Sequence, residues 1–236
     1  MDIAGSDPTR RTPGQYARET VMRLRLRTLV TLGVLAVATG LLGRAFGLHD
    51  ERFLASELAL LASMFVISHY VLPLVHRRDS GASAEEHVGG LLDQLAGWRV
   101  IHDASMGRGN VDHILIGPAG VFTVETKSHP GPVQVSRVHG ATIRQAHAQR
   151  KTVEAITGLK AEPLLVYSRA WVDRPLSRHK GVRVLPARLL MGYVTKRKRS
   201  LSAEEVELAH RLLTAALSEH QIRTRLRERA ASWSRL

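Results

Sequence analysis

Two apolar runs joined by a Gly-Pro-Ala-Gly turn constrain the fold of this chain more than any other feature of its sequence. Residues 111–117 and 121–127 are rich in β-branched side chains, and the four residues that span the gap are a turn signal, so the pattern predicts a β-hairpin. Side chains alternate along a strand, which puts Glu125 and Lys127 on one face. Antiparallel pairing brings Asp112 back towards them. The sequence therefore predicts three charged groups at one end of a sheet.

These three groups suit one kind of chemistry. Two carboxylates, Asp112 and Glu125, can hold Mg²⁺ or Mn²⁺ through oxygen and leave positions open for water and a phosphate. Lys127 is then placed to orient or activate the water. The pattern is what a metal-dependent phosphodiesterase needs. The competing interpretation is a solvated ion pair, which is the usual state of a lone Glu-x-Lys on a strand.

The flanking sequence carries a resemblance. The segments Val-Asp-His-Ile-Leu-Ile at 111–116, Gly-Val-Phe-Thr-Val-Glu-Thr-Lys at 120–127 and Ala-Glu-Glu-His-Val-Gly-Gly-Leu-Leu at 84–92 resemble the nuclease-related domain (NERD) family of the PD-(D/E)xK nuclease superfamily. The resemblance covers roughly residues 81–190. It implies an α/β restriction-endonuclease-like core, in which a central mixed sheet is flanked by helices. The chain departs from the family at Ala84, where glycine is usual. It departs from the superfamily at Val111, which stands in place of the proline there and is common in this family.

The resemblance also implies two supporting residues. Glu85 takes the place of the glutamate in the family's opening helix, and Gln145 is preferred for the glutamine that the superfamily often carries near its site. Glu85 has a structural alternative, because a glutamate at the start of a helix also complements the helix dipole. His113 follows Asp112 directly and faces the other side of the strand, so we expect it to pack in the interior rather than bind metal.

Upstream, residues 28–48 and 53–75 are two apolar segments of membrane-spanning length, and they predict a transmembrane hairpin. Glu57 interrupts the second segment, and the alternative is a pair of buried helices in a soluble bundle. Arginines precede the first segment and follow the second, which by the positive-inside rule places both termini and the nuclease-like domain in the cytoplasm. The first segment is too long for a cleaved signal peptide.

Composition narrows the partners. The 236 residues include no cysteine, which excludes disulfides, thiol nucleophiles and cysteine-bearing zinc sites. The net charge of +13 favours a polyanionic partner, either nucleic acid or the anionic inner leaflet, and it does not choose between them. If the partner is nucleic acid, we expect DNA. The densest basic cluster is 196–199. Few aromatic residues accompany it, so the sequence offers no evident stacking platform for single-stranded bases. The excess of arginine over lysine suggests a bacterial source, in which case the membrane is the plasma membrane.

These observations predict five segments. A basic cytoplasmic segment (1–27) precedes the two transmembrane helices, a polar linker (76–83), a nuclease-like domain (84–220) and a basic tail (221–236). Within the domain we predict helices at 84–95 and 141–157, strands at 99–102, 163–168 and 182–185 besides the hairpin, and a turn with a third strand at 130–138. A closing helix with an apolar stripe begins at Ser202. The stripe comprises Val206, Leu208, Leu212, Leu213 and Leu217.

Three hypotheses follow. The first is a membrane-anchored nuclease that hydrolyses phosphodiester bonds of nucleic acid with Mg²⁺ or Mn²⁺. The second is a noncatalytic module that keeps the nuclease fold and tethers nucleic acid to the membrane. The third is a structural or signalling protein whose basic domain lies on anionic lipid. The complete Asp112, Glu125 and Lys127 set favours the first, because binding alone does not require it.

Overall fold

The computed structural model describes residues 12–46, 51–106 and 109–233. The chain divides into two compact units: one comprises Tyr16–Ala82, and the other combines Met1–Gln15 with Ser83–Leu236. Parts of three predicted features fall outside the described residues: 1–11 of the N-terminal segment, 47–50 between the two apolar segments, and 234–236 of the tail. Residues 107–108 also lie outside them.

The first unit is helical. Helix α1 spans Gln15–Phe46, α2 spans Glu51–Val66, and a π-helical turn at Ile67–Val71 leads into α3 at Leu72–Leu92. Two stretches, Arg18–Ala45 and Glu51–Leu92, are long and apolar enough to cross a membrane, and only 6% of the most apolar window of each is buried. Their side chains are thus largely exposed, which is compatible with membrane association.

The π-helical turn has a local cause. Pro73 carries no N–H and cannot bond back to the preceding turn, and the helix widens so that the N–H of Leu72 donates to the carbonyl of Ile67. Helix α3 then continues through 76–83, the predicted linker, which is therefore helical rather than irregular. It begins earlier than the predicted helix at 84–95 and ends three residues sooner.

The second unit is a mixed α/β domain around a six-stranded sheet of order β1-β2-β3-β5-β8-β7. The strands are β1 (Arg99–Ser105), β2 (Asn110–Gly117), β3 (Gly120–Lys127), β5 (Ala161–Tyr167), β7 (Ser177–His179) and β8 (Val182–Pro186). Strands β1, β2 and β3 are antiparallel neighbours, β3, β5 and β8 are parallel, and β7 runs antiparallel to β8. The predicted hairpin and the predicted strands within β1, β5 and β8 are confirmed.

A two-stranded parallel ribbon accompanies this sheet. Strand β4 (Gly131–Val133) follows β3 and pairs with β6 (Ala170–Val172), which follows β5. Within the turn and strand predicted at 130–138, only three residues form a strand. Val135–Arg137 form a 3₁₀ turn. The register aligns Pro132 with Trp171.

Helices cover both faces of the sheet. On one face, Val88 and Leu92 of α3 pack with Leu115, Phe122, Val124, Leu164, Val166 and Leu185, together with helix α5 (Leu190–Thr195). On the other face, helices α4 (Gly140–Thr157) and α6 (Ala203–Trp233) cover Ile114, Ile116 and Val121. This second face also carries the charged end of the hairpin.

The helix ends follow their sequence signals. Gly158 ends α4 with a left-handed backbone at φ 70°. Ser202 and Glu205 form a reciprocal capping box at α6, because the Ser202 N–H donates to the Glu205 carboxylate at 2.7 Å and the Glu205 N–H donates to the Ser202 hydroxyl at 3.2 Å. Helix α6 extends to Trp233, so most of the predicted tail is helical. The predicted apolar stripe is wrong at Leu208 and Leu212, because both are exposed. Ala209, which the predicted stripe did not include, is buried.

The turn end of the hairpin is held by close packing. A Cβ at Gly117 would overlap the indole of Trp98, so only glycine fits there. Gly117 pairs with Gly120, and this pairing fixes the β2–β3 register.

Candidate active site

The hairpin register brings Asp112 and Glu125 onto one face. Ile114 pairs with Thr123 and His113 with Val124, and extending this register by one residue sets Asp112 opposite Glu125. Lys127 lies two residues further along β3, on the same face as Glu125. The convergence predicted for these three residues is therefore present in the structure.

Glu125 is the centre of the cluster. Its side chain is buried, with the residue 3% exposed, and both carboxylate oxygens accept hydrogen bonds. Lys127 Nζ lies 2.6 Å from Oε1, while Gln145 and Gln149 donate to Oε2 at 2.9 Å and 2.7 Å. Both glutamines come from α4, one helical turn apart on the face that lies against the sheet.

The sequence predicted Gln145 as the glutamine of the site, and the structure adds Gln149. It is buried, and its Nε2 also lies 2.8 Å from the backbone carbonyl of Asn110 at the start of β2. Gln145 is more exposed and makes only the Glu125 contact among the described hydrogen bonds. The i, i+4 spacing of the two glutamines was the available signal, because it puts both on one helix face.

Asp112 lies beside this cluster and is only partly accessible to solvent. Its Oδ2 accepts the backbone N–H of Thr126 at 2.6 Å, which fixes the carboxyl group against β3. Burial raises the pKa of Asp112 well above its usual range, and repulsion from Glu125 and Glu85 raises it further, although the Thr126 N–H and Lys127 oppose this. The site thus crowds acidic groups in a position where an added cation would be favourable.

Burial and neighbouring charges act in opposite directions on the pKa of Lys127. Burial lowers the pKa of its ammonium group, but Glu125 and Asp112 outweigh burial and the net pKa is raised. The ammonium group is therefore charged at neutral pH. In this state Lys127 can donate hydrogen bonds to a water or a phosphate oxygen, and it cannot accept a proton.

Glu85 on α3 belongs to the same electrostatic group. Burial, followed by repulsion from Asp103 and Glu125, raises its pKa to about 7. Among the described contacts, Glu85 makes no hydrogen bond to Asp112, Glu125 or Lys127. The structure therefore places this predicted residue near the site as a neighbouring charge.

Asp103 is a further acidic residue near the site, and the sequence analysis did not predict it. The β1–β2 register sets it opposite Asp112, and it is buried with a left-handed backbone at φ 48°, which is uncommon for a residue other than glycine. Its Oδ1 accepts a hydrogen bond from Asn110 Nδ2 at 2.7 Å. Asn110 thus links Asp103 to Gln149, and through Gln149 to Glu125.

His113 faces away from the carboxylates, as predicted. It is fully buried, and its Nδ1 lies 2.8 Å from Nδ1 of His102, whose Nε2 lies 2.9 Å from Asp93. Burial and then the neighbouring His102 lower the pKa of His113 to about 3. It is a neutral interior histidine.

The donor set fits a hard divalent cation. Asp112 and Glu125 supply carboxylate oxygens of the kind that Mg²⁺ prefers, and their mutual repulsion is the condition that a cation relieves. Within the described residues, no group of three or more His, Asp or Glu side chains is arranged to hold a metal ion. Two side chains therefore have to be supplemented by backbone oxygen, water or substrate, which is the usual situation for Mg²⁺.

Comparison with known proteins agrees with the resemblance noted above. Residues 80–170 match the family described as "Nuclease-related domain" (NERD). The matched range includes Glu85, the hairpin, both glutamines and β5. No curated protein matches the chain.

Three solved structures show weaker likeness. A repair endonuclease from Pyrococcus abyssi matches with 13% identity and a TM-score of 0.28, covering 53% of this chain and 47% of its own. A complex of EndoMS with dsDNA matches with 14% identity and a TM-score of 0.29, covering 52% and 45%. SfsA of Pyrococcus furiosus in complex with Ca²⁺ matches with 19% identity and a TM-score of 0.25, covering 60% and 53%. The chain spans about half the length of these proteins, and TM-scores this low carry no assignment.

Proposed function

This chain carries a nuclease-related domain at residues 80–170, and on that premise we propose that it is a divalent-metal-dependent nuclease anchored to a membrane. Its substrate is the phosphodiester backbone of nucleic acid, with DNA preferred. The observation that carries the proposal is the convergence of Asp112, Glu125 and Lys127 at one end of the sheet, with two glutamines on Glu125.

Each residue has a role that its surroundings support. Asp112 and Glu125 would hold Mg²⁺ or Mn²⁺, which would supply positive charge to offset the negative charge of the phosphate. Lys127, charged and tied to Glu125, donates a hydrogen bond that orients the attacking water or a phosphate oxygen. Gln145 and Gln149 hold the Glu125 carboxylate in place. Glu85, whose pKa is raised to about 7, is a titratable carboxyl group at the edge of the site.

The two apolar helical stretches supply the anchor. Their length and exposed apolar surface support a transmembrane hairpin. The arginines that flank the hairpin favour a cytoplasmic position for both termini and for the nuclease-related domain. Under this arrangement the protein acts on nucleic acid at the inner face of a bacterial plasma membrane.

Cleavage by the full-length chain in detergent micelles tests the proposal. Supercoiled plasmid, linear duplex, single-stranded DNA and RNA are each incubated with Mg²⁺ or Mn²⁺, with and without EDTA. We expect EDTA to abolish cleavage, and Glu125→Gln and Lys127→Met each to reduce its rate by about 10²- to 10³-fold.

The matched control is Glu207→Gln. Glu207 pairs with Arg99 on the exposed surface of α6 and lies outside the site, so its loss should leave the rate unchanged. Equal cleavage by the wild type and by the two site variants would mean that the activity comes from elsewhere and would reject the proposal.

A second candidate function is a noncatalytic module that binds nucleic acid at the membrane. It is favoured by one observation: both oxygens of Glu125 are already occupied by protein donors, so the cluster is satisfied without a cation. This candidate predicts that the wild type and the site variants bind nucleic acid equally and that none of them cleaves it.

A further inference from the structure

The ribbon of β4 and β6 presents an aromatic side chain to solvent, on the segment that follows the end of β5 paired with Lys127. Trp171 is 59% exposed, although Ala170 and Val172 on either side of it are buried. Tryptophan is among the residue types that most often carry the binding energy of an interface. We propose that Trp171 stacks against an unpaired base of the nucleic acid whose backbone enters the site.

The ribbon is anchored firmly enough to hold the indole in place. Val133, Ala170 and Val172 belong to the buried core between α4 and the sheet. The N–H of Asp173 donates to the carbonyl of Val133 at 3.1 Å, and the N–H of Val135 donates to Oδ1 of Asp173 at 3.0 Å. Trp171 is thus preorganised, which lowers the entropic cost of binding.

The ribbon is also close to the catalytic residues. Tyr167 pairs with Lys127, and the N–H of Ser168 donates to the Lys127 carbonyl at 3.0 Å. Trp171 follows Ser168 by three residues, so their Cα atoms are at most about 11 Å apart. A few nucleotides of one strand cover a distance of this order, so a base close along the strand to a bound phosphate can reach the indole.

The charge around Trp171 complements a phosphate backbone. Arg169 directly precedes β6, is exposed, and makes no hydrogen bond or ion pair within the part of the chain that the structure describes. His129, between β3 and β4, is exposed as well. A cation beside an exposed aromatic face is the combination by which proteins bind single-stranded nucleic acid without sequence preference.

This inference rests on the proposed function and adds a substrate class to it. The bases of a duplex are stacked on one another and present no free face, whereas a single strand, a flap or a frayed end does. We therefore expect the site to prefer nucleic acid with an unpaired nucleotide near the bound phosphate. The surface replaces the stacking platform that the sequence did not reveal.

Binding in EDTA by the full-length chain in detergent micelles tests this inference independently of cleavage. The probes are a fluorescent oligothymidylate of about 15 nucleotides and a blunt duplex of the same length. We expect Trp171→Ala to weaken oligothymidylate binding by about 5- to 100-fold and duplex binding by less than about twofold. Trp171→Phe, which keeps a ring, should stay within about threefold of wild type.

A second readout follows the indole itself. The wild-type tryptophan fluorescence should fall when oligothymidylate binds, and Trp171→Phe should lose that fall while it still binds. Leu208→Ala is the matched control, because Leu208 is 51% exposed on α6 and lies outside this surface. We expect it to behave as wild type in both measurements.

The outcomes separate the two proposals. Unchanged oligothymidylate affinity in Trp171→Ala, or an equal loss for duplex and single strand, would overturn the inference and leave the nuclease proposal standing. Trp171-dependent single-strand binding without cleavage would support the inference and reject the nuclease.

Discussion

Gln149 donates a hydrogen bond to Oε2 of Glu125 across 2.7 Å, and this bond joins α4 to the central strand inside the protein. The same nitrogen reaches the Asn110 carbonyl, so one side chain ties together β2, β3 and α4.

We expect Gln149→Ala to lower the free energy of unfolding by about 1–3 kcal/mol, because it leaves buried acceptors on Glu125 and Asn110 unsatisfied. Gln145→Ala removes a more exposed contact and should cost less than about 1 kcal/mol. Thermal unfolding of the full-length variants in detergent measures both. An equal loss in the two variants would contradict the distinction drawn between these glutamines.

Glu85 should make stability fall as pH rises. Its pKa is raised from 4.5 to about 7, so the folded protein holds a proton that the unfolded chain releases between these values, and stability declines across that window. Glu85→Gln removes the decline. In EDTA we expect the variant to be more stable than wild type by about 1–3 kcal/mol at pH 8 and similar to it near pH 4. Parallel pH profiles for the two proteins would contradict this.

His113 should produce the opposite slope. Its pKa is lowered from 6.5 to about 3, so its stabilising contribution is complete above pH 6.5 and is lost as the pH falls towards 3, because the unfolded chain binds a proton that the folded one excludes. Wild type should lose up to about 1.4 kcal/mol per pH unit below 6.5 from this residue. His113→Leu should flatten that part of the profile, whereas His87→Leu, at an exposed position, should leave it unchanged.

Glu162, near the start of β5 and away from the candidate site, should stabilise the fold. Its carboxylate accepts hydrogen bonds from Arg178, Arg183, Arg197 and the Tyr193 hydroxyl, and its side chain is only 12% exposed. Glu162→Gln leaves three guanidinium groups without their shared partner, and we expect a loss of about 1–3 kcal/mol. Glu207→Gln breaks an exposed pair and should cost less than about 1 kcal/mol. Similar melting temperatures for the two variants would show that the arginine cluster is not stabilising.

The absence of cysteine allows a direct test of topology. Single cysteines at Arg52 and Ser200 in the full-length chain provide unique labelling sites. In intact bacterial cells whose outer membrane is permeable to the reagent, a maleimide that cannot cross the plasma membrane should label Arg52→Cys. It should label Ser200→Cys only after that membrane is permeabilised. The reverse pattern would invert the proposed orientation.

The sequence predicted those parts of the site that depend on local patterns. Alternation in β3 fixed the shared face of Glu125 and Lys127, and the turn at Gly117 fixed the return of Asp112. The Ser202–Glu205 capping box was likewise contained in four consecutive residues.

The remaining parts depend on contacts between distant segments. Asp103 meets the site only because β1 pairs with β2, and its positive φ leaves no pattern in the sequence. The choice between Gln145 and Gln149 depends on how α4 is rotated against the sheet, and spacing alone does not determine this. The failure at Leu208 and Leu212 has the same cause, since the buried face of α6 is set by the packing against β1 and β2.

The close packing of Trp98 against Gly117 bears on what a misaligned hairpin would do to the protein. A strand that slips by one residue exchanges its two faces, so a β2 misaligned at this turn would present His113 in place of Asp112. Such a molecule would also exchange the buried side chains of Ile114 and Leu115 between the two faces of the sheet, so both cores would be disrupted together with the site. Damage at this turn would then lower the abundance of the protein and its activity per molecule together.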